Sequence, residues 1–262
     1  MKNPRCNCRR AFNLSLLKGA ILPVTGFLAH EANAAEDAGS PVAGTGRSAK
    51  SHLLDAGAGV LQSKPTLDAM NAYLNGFHFY ADDMNRQVEA HHFCTHLTED
   101  FHQCVIFDSN AKDARLIGIE YIVSERLFLS LPEEEKKLWH SHAYEVKSGE
   151  LIAPGIPDVA EHALMQDLVS TYGKTWHTWQ VDQGHQLPLG IPQLMMGFTR
   201  DGQVDAALVQ ARDDRLKLST SEQRKNRGDI ATPAVAQGAN AWERGKTIQL
   251  QASEVSVKNL KP

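Results

Sequence analysis

The sequence predicts a single α+β domain: a small antiparallel sheet, a meander that includes a hairpin at about residues 88–108, packed by helices. Three observations predict it. First, His91-His92-Phe93-Cys94-Thr95-His96 and His102-Gln103-Cys104 mirror each other about Glu99, as two strands joined at Thr98-Glu99-Asp100 would. Second, the turn-like Ser109-Asn110-Ala111-Lys112-Asp113 is followed by a nearly continuous apolar run from Arg115 to Val123, the pattern of a mostly buried third strand. Third, strong helix signals flank the sheet. Ser130-Leu131-Pro132 followed by Glu133, Glu134 and Glu135 supplies a cap, an early proline and acids in the first turn.

The elements follow in order. Residues 35–51 are rich in Ala, Gly and Ser without periodicity and read as a flexible linker before a domain over 52–230. Leu53 to Leu61 reads as a short helix. Thr66 is a candidate cap for a second, with Leu67, Met70, Leu74, Phe77 and Ala81 as its apolar stripe. After the three strands, Trp139 to Val146 reads as a strand and Pro157 to Tyr172 as a helix with Gly173 as its stop. Thr175 to Val181 is strand-like, and the proline-punctuated stretch Pro188 to Phe198 reads as an ordered loop. Gln203–Arg212 and Ser219–Arg227 read as surface helices, and 231–262 as a loosely ordered tail.

Residues 1–34 have the pattern of a cleavable export signal. A basic region with Arg9-Arg10, close to the twin-arginine pattern, precedes a mildly apolar stretch and the small-x-small motif Ala32-Asn33-Ala34, which predicts cleavage after Ala34. The mature chain is then expected in the periplasm or secreted, an oxidising location. The formal net charge is −4, but residues 1–34 carry five bases and one acid, so the remainder holds 22 bases against 30 acids. An acidic chain without a Lys/Arg block argues against nucleic acid as a partner. No stretch in the mature chain is apolar enough to span a bilayer, so a soluble or peripheral protein is expected, with a lipid or membrane surface as a partner class.

Two histidine groups carry the chemistry. With residues alternating faces along a hairpin, His92, Cys94, His96, His102 and Cys104 share one face, and the register sets Cys94 against Cys104 and His96 against His102. In Trp139-His140-Ser141-His142 an extended backbone would aim both imidazoles the same way. His92, His96, His140 and His142 with an acid, Glu120 or Glu145, could then hold a transition metal such as zinc or iron that activates water or oxygen. The alternative is histidines packed at a core edge. Cys94 and Cys104 have three readings: a cross-strand disulfide, buried free thiols, or a thiol nucleophile with His96 or His102 as its base; as a pair they could also form a thiol/disulfide redox-responsive module. His177 between Trp176 and Trp179 reads as part of an aromatic core strand. Walker loops and the G-x-G-x-x-G, G-x-S-x-G and H-E-x-x-H motifs are missing from the sequence.

Several longer words add a resemblance. Leu-Asn-Gly-Phe-His-Phe-Tyr (74–80), Glu-Ala-His-His-Phe-Cys-Thr-His (89–96), Ile-Gly-Ile-Glu-Tyr-Ile-Val-Ser (117–124), Leu-Pro-Glu-Glu-Glu-Lys-Lys-Leu-Trp-His-Ser-His (131–142) and Tyr-Gly-Lys-Thr-Trp-His-Thr-Trp (172–179) resemble the oil body-associated protein family. So do Gln-Cys-Val-Ile-Phe-Asp (103–108) and Leu-Pro-Leu-Gly-Ile-Pro-Gln-Leu-Met-Met (187–196). The resemblance implies a lipid- or envelope-associated protein without an established biochemical activity. With its N-terminal signal, the chain reads as an exported bacterial member of that family.

Overall fold

The computed structural model describes residues 42–261; the predicted export signal and the first part of the linker lie outside them. Helix α1 spans Ala49–Leu61, capped by the Ser48 side chain, and α2 is one turn, Pro65–Asp68. Strands β1 (Ala72–Tyr80), β2 (Asp83–Thr98), β3 (Phe101–Phe107) and β4 (Leu116–Ser124) follow as an antiparallel meander. The short helices α3 (Glu125–Leu129) and α4 (Glu133–Lys136) lead to the two-residue strand β5 (His140–Ser141) and helix α5 (Ala143–Ser148). Helix α6 (Asp158–Leu168), strands β6 (Thr171–His177) and β7 (Gln193–Met196), and helices α7 (Ala206–Leu216) and α8 (Thr220–Asn226) complete the regular elements.

The small open α+β sheet expected from the sequence is not what forms. The strands run β4–β3–β2–β1–β7–β6, and β6 then pairs along its whole length with β4, from Gly118 opposite His177 to Ser124 opposite Thr171. The result is a closed six-stranded antiparallel barrel, with β5 attached to β6 at His140–Gly173 and Ser141–Tyr172. Closure removes the exposed strand edges an open sheet would leave and gives the sheet an interior.

Closure rests on three segments that read otherwise in sequence. Residues 72–80 form a strand, not the helix that Leu67, Met70, Leu74, Phe77 and Ala81 suggested. Leu74 through Tyr80 are buried without a break, so apolar residues occupy both faces and the two-residue period is hidden. Residues 193–196, read as loop, are the strand that joins β1 to β6 through Phe79–Met196 and Thr175–Met195. Gly173, read as a helix stop, lies inside β6, and α6 ends at Leu168. Trp139–Val146 yields only the two-residue β5 before the chain turns into α5.

The inward residues form layers. Leu74, Cys94, Cys104 and Ile122 pack with Val146, Leu151, Met165 and Leu168 beneath α5 and α6. Ala90, Ile106, Ile117 and Trp179 close another part of the core. Between these apolar groups lies a row of buried polar side chains. The tail contributes as well: the buried Asn240 accepts the Ser141 backbone N–H at 3.0 Å and so braces β5.

Candidate metal centre

Four of the barrel strands send polar side chains inward, at positions set by the rule that residues two apart share a face. From β1 comes His78, from β2 His92, from β4 Glu120 and from β6 His177, while β5 and the start of α5 supply His140 and His142. All six are at most 4% exposed. Glu120 is the hub. Its Oε2 lies 2.7 Å from His92 Nε2 and 3.8 Å from His78 Nε2. Its Oε1 lies 3.2 Å from His142 Nε2 and 3.4 Å from His140 Nε2. The backbone makes room for them. A Cβ on Gly173 would collide with Glu120 Oε1 and sit 2.8 Å from both His140 Nε2 and His142 Nε2. A cavity of about 10 Å³, room for one water-sized occupant, is lined by His78, His92, Glu120, His142 and Glu145.

The charges in this row do not balance on their own. Burial would raise the Glu120 carboxyl, but the His92, His140 and His142 rings beside it outweigh burial and hold the group well below the usual carboxylate range. Three of the imidazoles are poor sources of positive charge. Burial pushes His78 well below its ordinary value, lowers His142, and lowers His177 to about 3. Burial, then the charges of Glu120 and Glu150, raises Glu145 well above the carboxylate range.

Proton positions sharpen the imbalance. The Thr171 hydroxyl donates its one proton to Leu168 O at 2.7 Å, because a carbonyl can only accept. The 2.8 Å contact between Thr171 Oγ1 and His142 Nδ1 must therefore be donated by the ring, which leaves the lone pair of a neutral His142 on Nε2, aimed at Glu120. A lone pair facing a carboxylate at 3.2 Å is repulsive unless a cation lies between them. An acceptor behind the ring that fixes its tautomer is also how proteins orient metal-ligating histidines. His92 Nε2, although 2.7 Å from Glu120 Oε2, is not aligned for a hydrogen bond, and both ring nitrogens of His92 and His140 and Glu145 Oε2 lack any partner. Buried polar atoms are rarely left so.

Of the residues singled out in sequence, His92, Glu120, His140 and His142 meet. His96 does not: it pairs with His102 at the hairpin end, ring centroids 4.1 Å apart and stacked, with His96 exposed. Burial, with His96 and His142 nearby, lowers His102 to about 4. Cys94 and Cys104 face each other and are joined by a disulfide within the apolar layer. His78 and His177 were missed. His78 sat in a stretch read as helix, and His177 between two tryptophans looked like core; period-two spacing of Leu74, Gly76 and His78 was the available signal.

Comparison with known proteins places these residues in a family context. A family model described as "Protein of unknown function (DUF1264)" matches residues 64–231. Oil body-associated protein 1B of Arabidopsis thaliana is 46% identical over 206 residues, covering 79% of this chain and 86% of that protein. Oil body-associated protein 1A of Zea mays is 47% identical over 205 residues, covering 78% and 86%. Oil body-associated protein 2A of Arabidopsis thaliana is 38% identical over 223 residues, covering 84% and 90%. No solved structure matches the chain.

Proposed function

This chain belongs to the DUF1264 family, that of the oil body-associated proteins, and from that premise we propose that it is a metal-binding barrel protein. One observation carries the reading: a buried carboxylate, Glu120, has four imidazole Nε2 atoms within 3.8 Å, and one of them, on the neutral His142, turns its lone pair toward it. Nitrogen and oxygen donors of this kind suit zinc or iron. Bound there, such an ion would supply Lewis acidity to water or oxygen. His78, His92, Glu120, His140 and His142 would hold it, with His177 and Thr171 orienting two of the rings. Protein purified without tag or chelator is expected to carry close to full occupancy of a transition metal by elemental analysis, since tight sites fill. Less than about 0.1 equivalent would sink this reading.

The relatives' names support a second reading, that the domain works at a lipid surface. Leu53, Leu54, Val60 and Leu61 all stand exposed on α1, which buries no residue. Among the described residues no helix is long and apolar enough to cross a membrane, so contact would be peripheral. The pattern in residues 1–34 extends the proposal to location: a bacterial protein exported folded, working at an envelope membrane or with a secreted lipid. Cell fractionation with N-terminal sequencing tests both parts together. A chain starting at Ala35 in the periplasmic or envelope fraction, floating with liposomes, is expected; a full-length cytosolic chain that never floats would refute them.

A further inference from the structure

We propose that the barrel holds two ions, one on each oxygen of Glu120, so that this carboxylate is a bridge. The inference deepens the metal-binding reading and rests on it. The donors divide by carboxylate oxygen. His78 and His92 attend Oε2; His140 and His142 attend Oε1. They form two groups, His78 with His92 and Glu120, and Glu120 with His140 and His142, and within each the donor atoms lie within 4.8 Å of one another. The two groups share only Glu120. Ligands at about 2.0–2.1 Å from one ion can be no more than about 4.2 Å apart, and those at tetrahedral angles about 3.4 Å. The contacts of Oε1 at 3.2 and 3.4 Å match that spacing directly. Those of Oε2, 2.7 and 3.8 Å, straddle it.

The surroundings repeat for each pair. One imidazole of each is steadied from behind: His78 Nδ1 contacts His177 Nε2 at 3.3 Å, and His142 Nδ1 donates to Thr171 Oγ1 at 2.8 Å. Beside the second pair Gly173 leaves open the volume between Glu120 Oε1, His140 and His142, which a side chain there would fill. Each ion would thus have two imidazoles and one carboxylate oxygen, a set that leaves coordination positions open. Glu145 Oε2, buried without a hydrogen-bond partner and 3.9 Å from His140 Nε2, is the nearest further carboxylate for the second ion. A three-atom carboxylate bridge sets ions on the order of 4 Å apart, the spacing of two-metal sites that clamp one oxygen between them. With every donor buried and so little free volume, that oxygen belongs to a molecule no larger than water.

The test is stoichiometry with one probe, Co(II). The full chain is stripped with chelator, reloaded and freed of excess. Two equivalents per chain are expected, with an electron paramagnetic resonance signal per ion weakened by coupling between the ions. His78→Gln and His140→Gln are each expected to retain one equivalent, now with the full signal of an isolated ion. Saturation of the unaltered chain at one equivalent would overturn the two-ion inference and leave the metal centre standing. No uptake at all would overturn both. Circular dichroism identifies a variant that fails to fold, and the unaltered chain's stoichiometry and signal then decide alone.

Discussion

Glu120→Gln is expected to abolish metal uptake while leaving the barrel folded. Glutamine keeps the volume and planar shape of the side chain, so the packing against Gly173 is undisturbed. It removes the only charge that both imidazole pairs share, and an amide oxygen is a much weaker ligand than a carboxylate for zinc or iron. The amide also carries donors that a carboxylate lacks. Its NH2 group can meet the lone pair that His142 presents at 3.2 Å, which turns a repulsive contact into a hydrogen bond. With metal present the two chains part. An ion at about 1,000 times its Kd stabilises the native state by roughly 4 kcal/mol, which only the unaltered chain can gain. Thermal melts with and without chelator measure that gain. Glu120→Gln should melt identically in the two conditions, and the unaltered chain should melt lower after stripping. A variant that still loads metal, or an unaltered chain indifferent to chelator, contradicts the centre.

The parts of this centre legible in sequence are those whose signals are local. The mirrored His/Cys segment specifies its own register, and Cys94 does face Cys104 and His96 does face His102. Glu120, His140 and His142 are recognisable as donors wherever they lie. What is not local is closure. Glu120 stands opposite Thr175 because β4 pairs with β6, elements joined through four short elements and a helix, and no nearby residue announces that pairing. Closure also decides which faces are interior. In an open sheet His96 and His92 share one solvent or core face; in the barrel His92 is inside while His96 runs past the rim into solvent. His78 was hidden for a different reason. With Phe77 and Phe79 buried outside the barrel against Leu194, Met196 and Phe198, and Leu74 and His78 facing in, apolar residues fill both parities of β1. A helical stripe can then be drawn through them by coincidence.

The second large effect comes from a residue whose segment read as surface helix. Arg227 is fully buried; its Nη1 donates to Val146 O and Leu151 O, each at 2.7 Å, and its Nη2 pairs with Glu161 on α6. One guanidinium thus ties α6 and the end of α8 to the backbone on either side of the turn after α5. That turn ends α5, which His142 precedes as its cap and which carries the buried Glu145, so the residue fixes the backbone that presents part of the metal centre. Arg227→Met is expected to destabilise the fold by about 3–5 kcal/mol, because it strands a buried carboxylate and two carbonyls rather than merely removing a contact. In a domain of this size that lowers Tm by roughly 10 °C. Pairing it with Glu161→Gln should restore much of the loss: the amide that replaces the stranded charge is far less costly to bury. A single variant that melts within a degree or two of the parent, or a double variant no better than the single, would show that this pair is not what holds α5 and α6 together. Because the tie reaches the centre only through backbone position, Arg227→Met should also weaken metal affinity without changing how many ions bind. A residue that acted as a ligand would change the count instead.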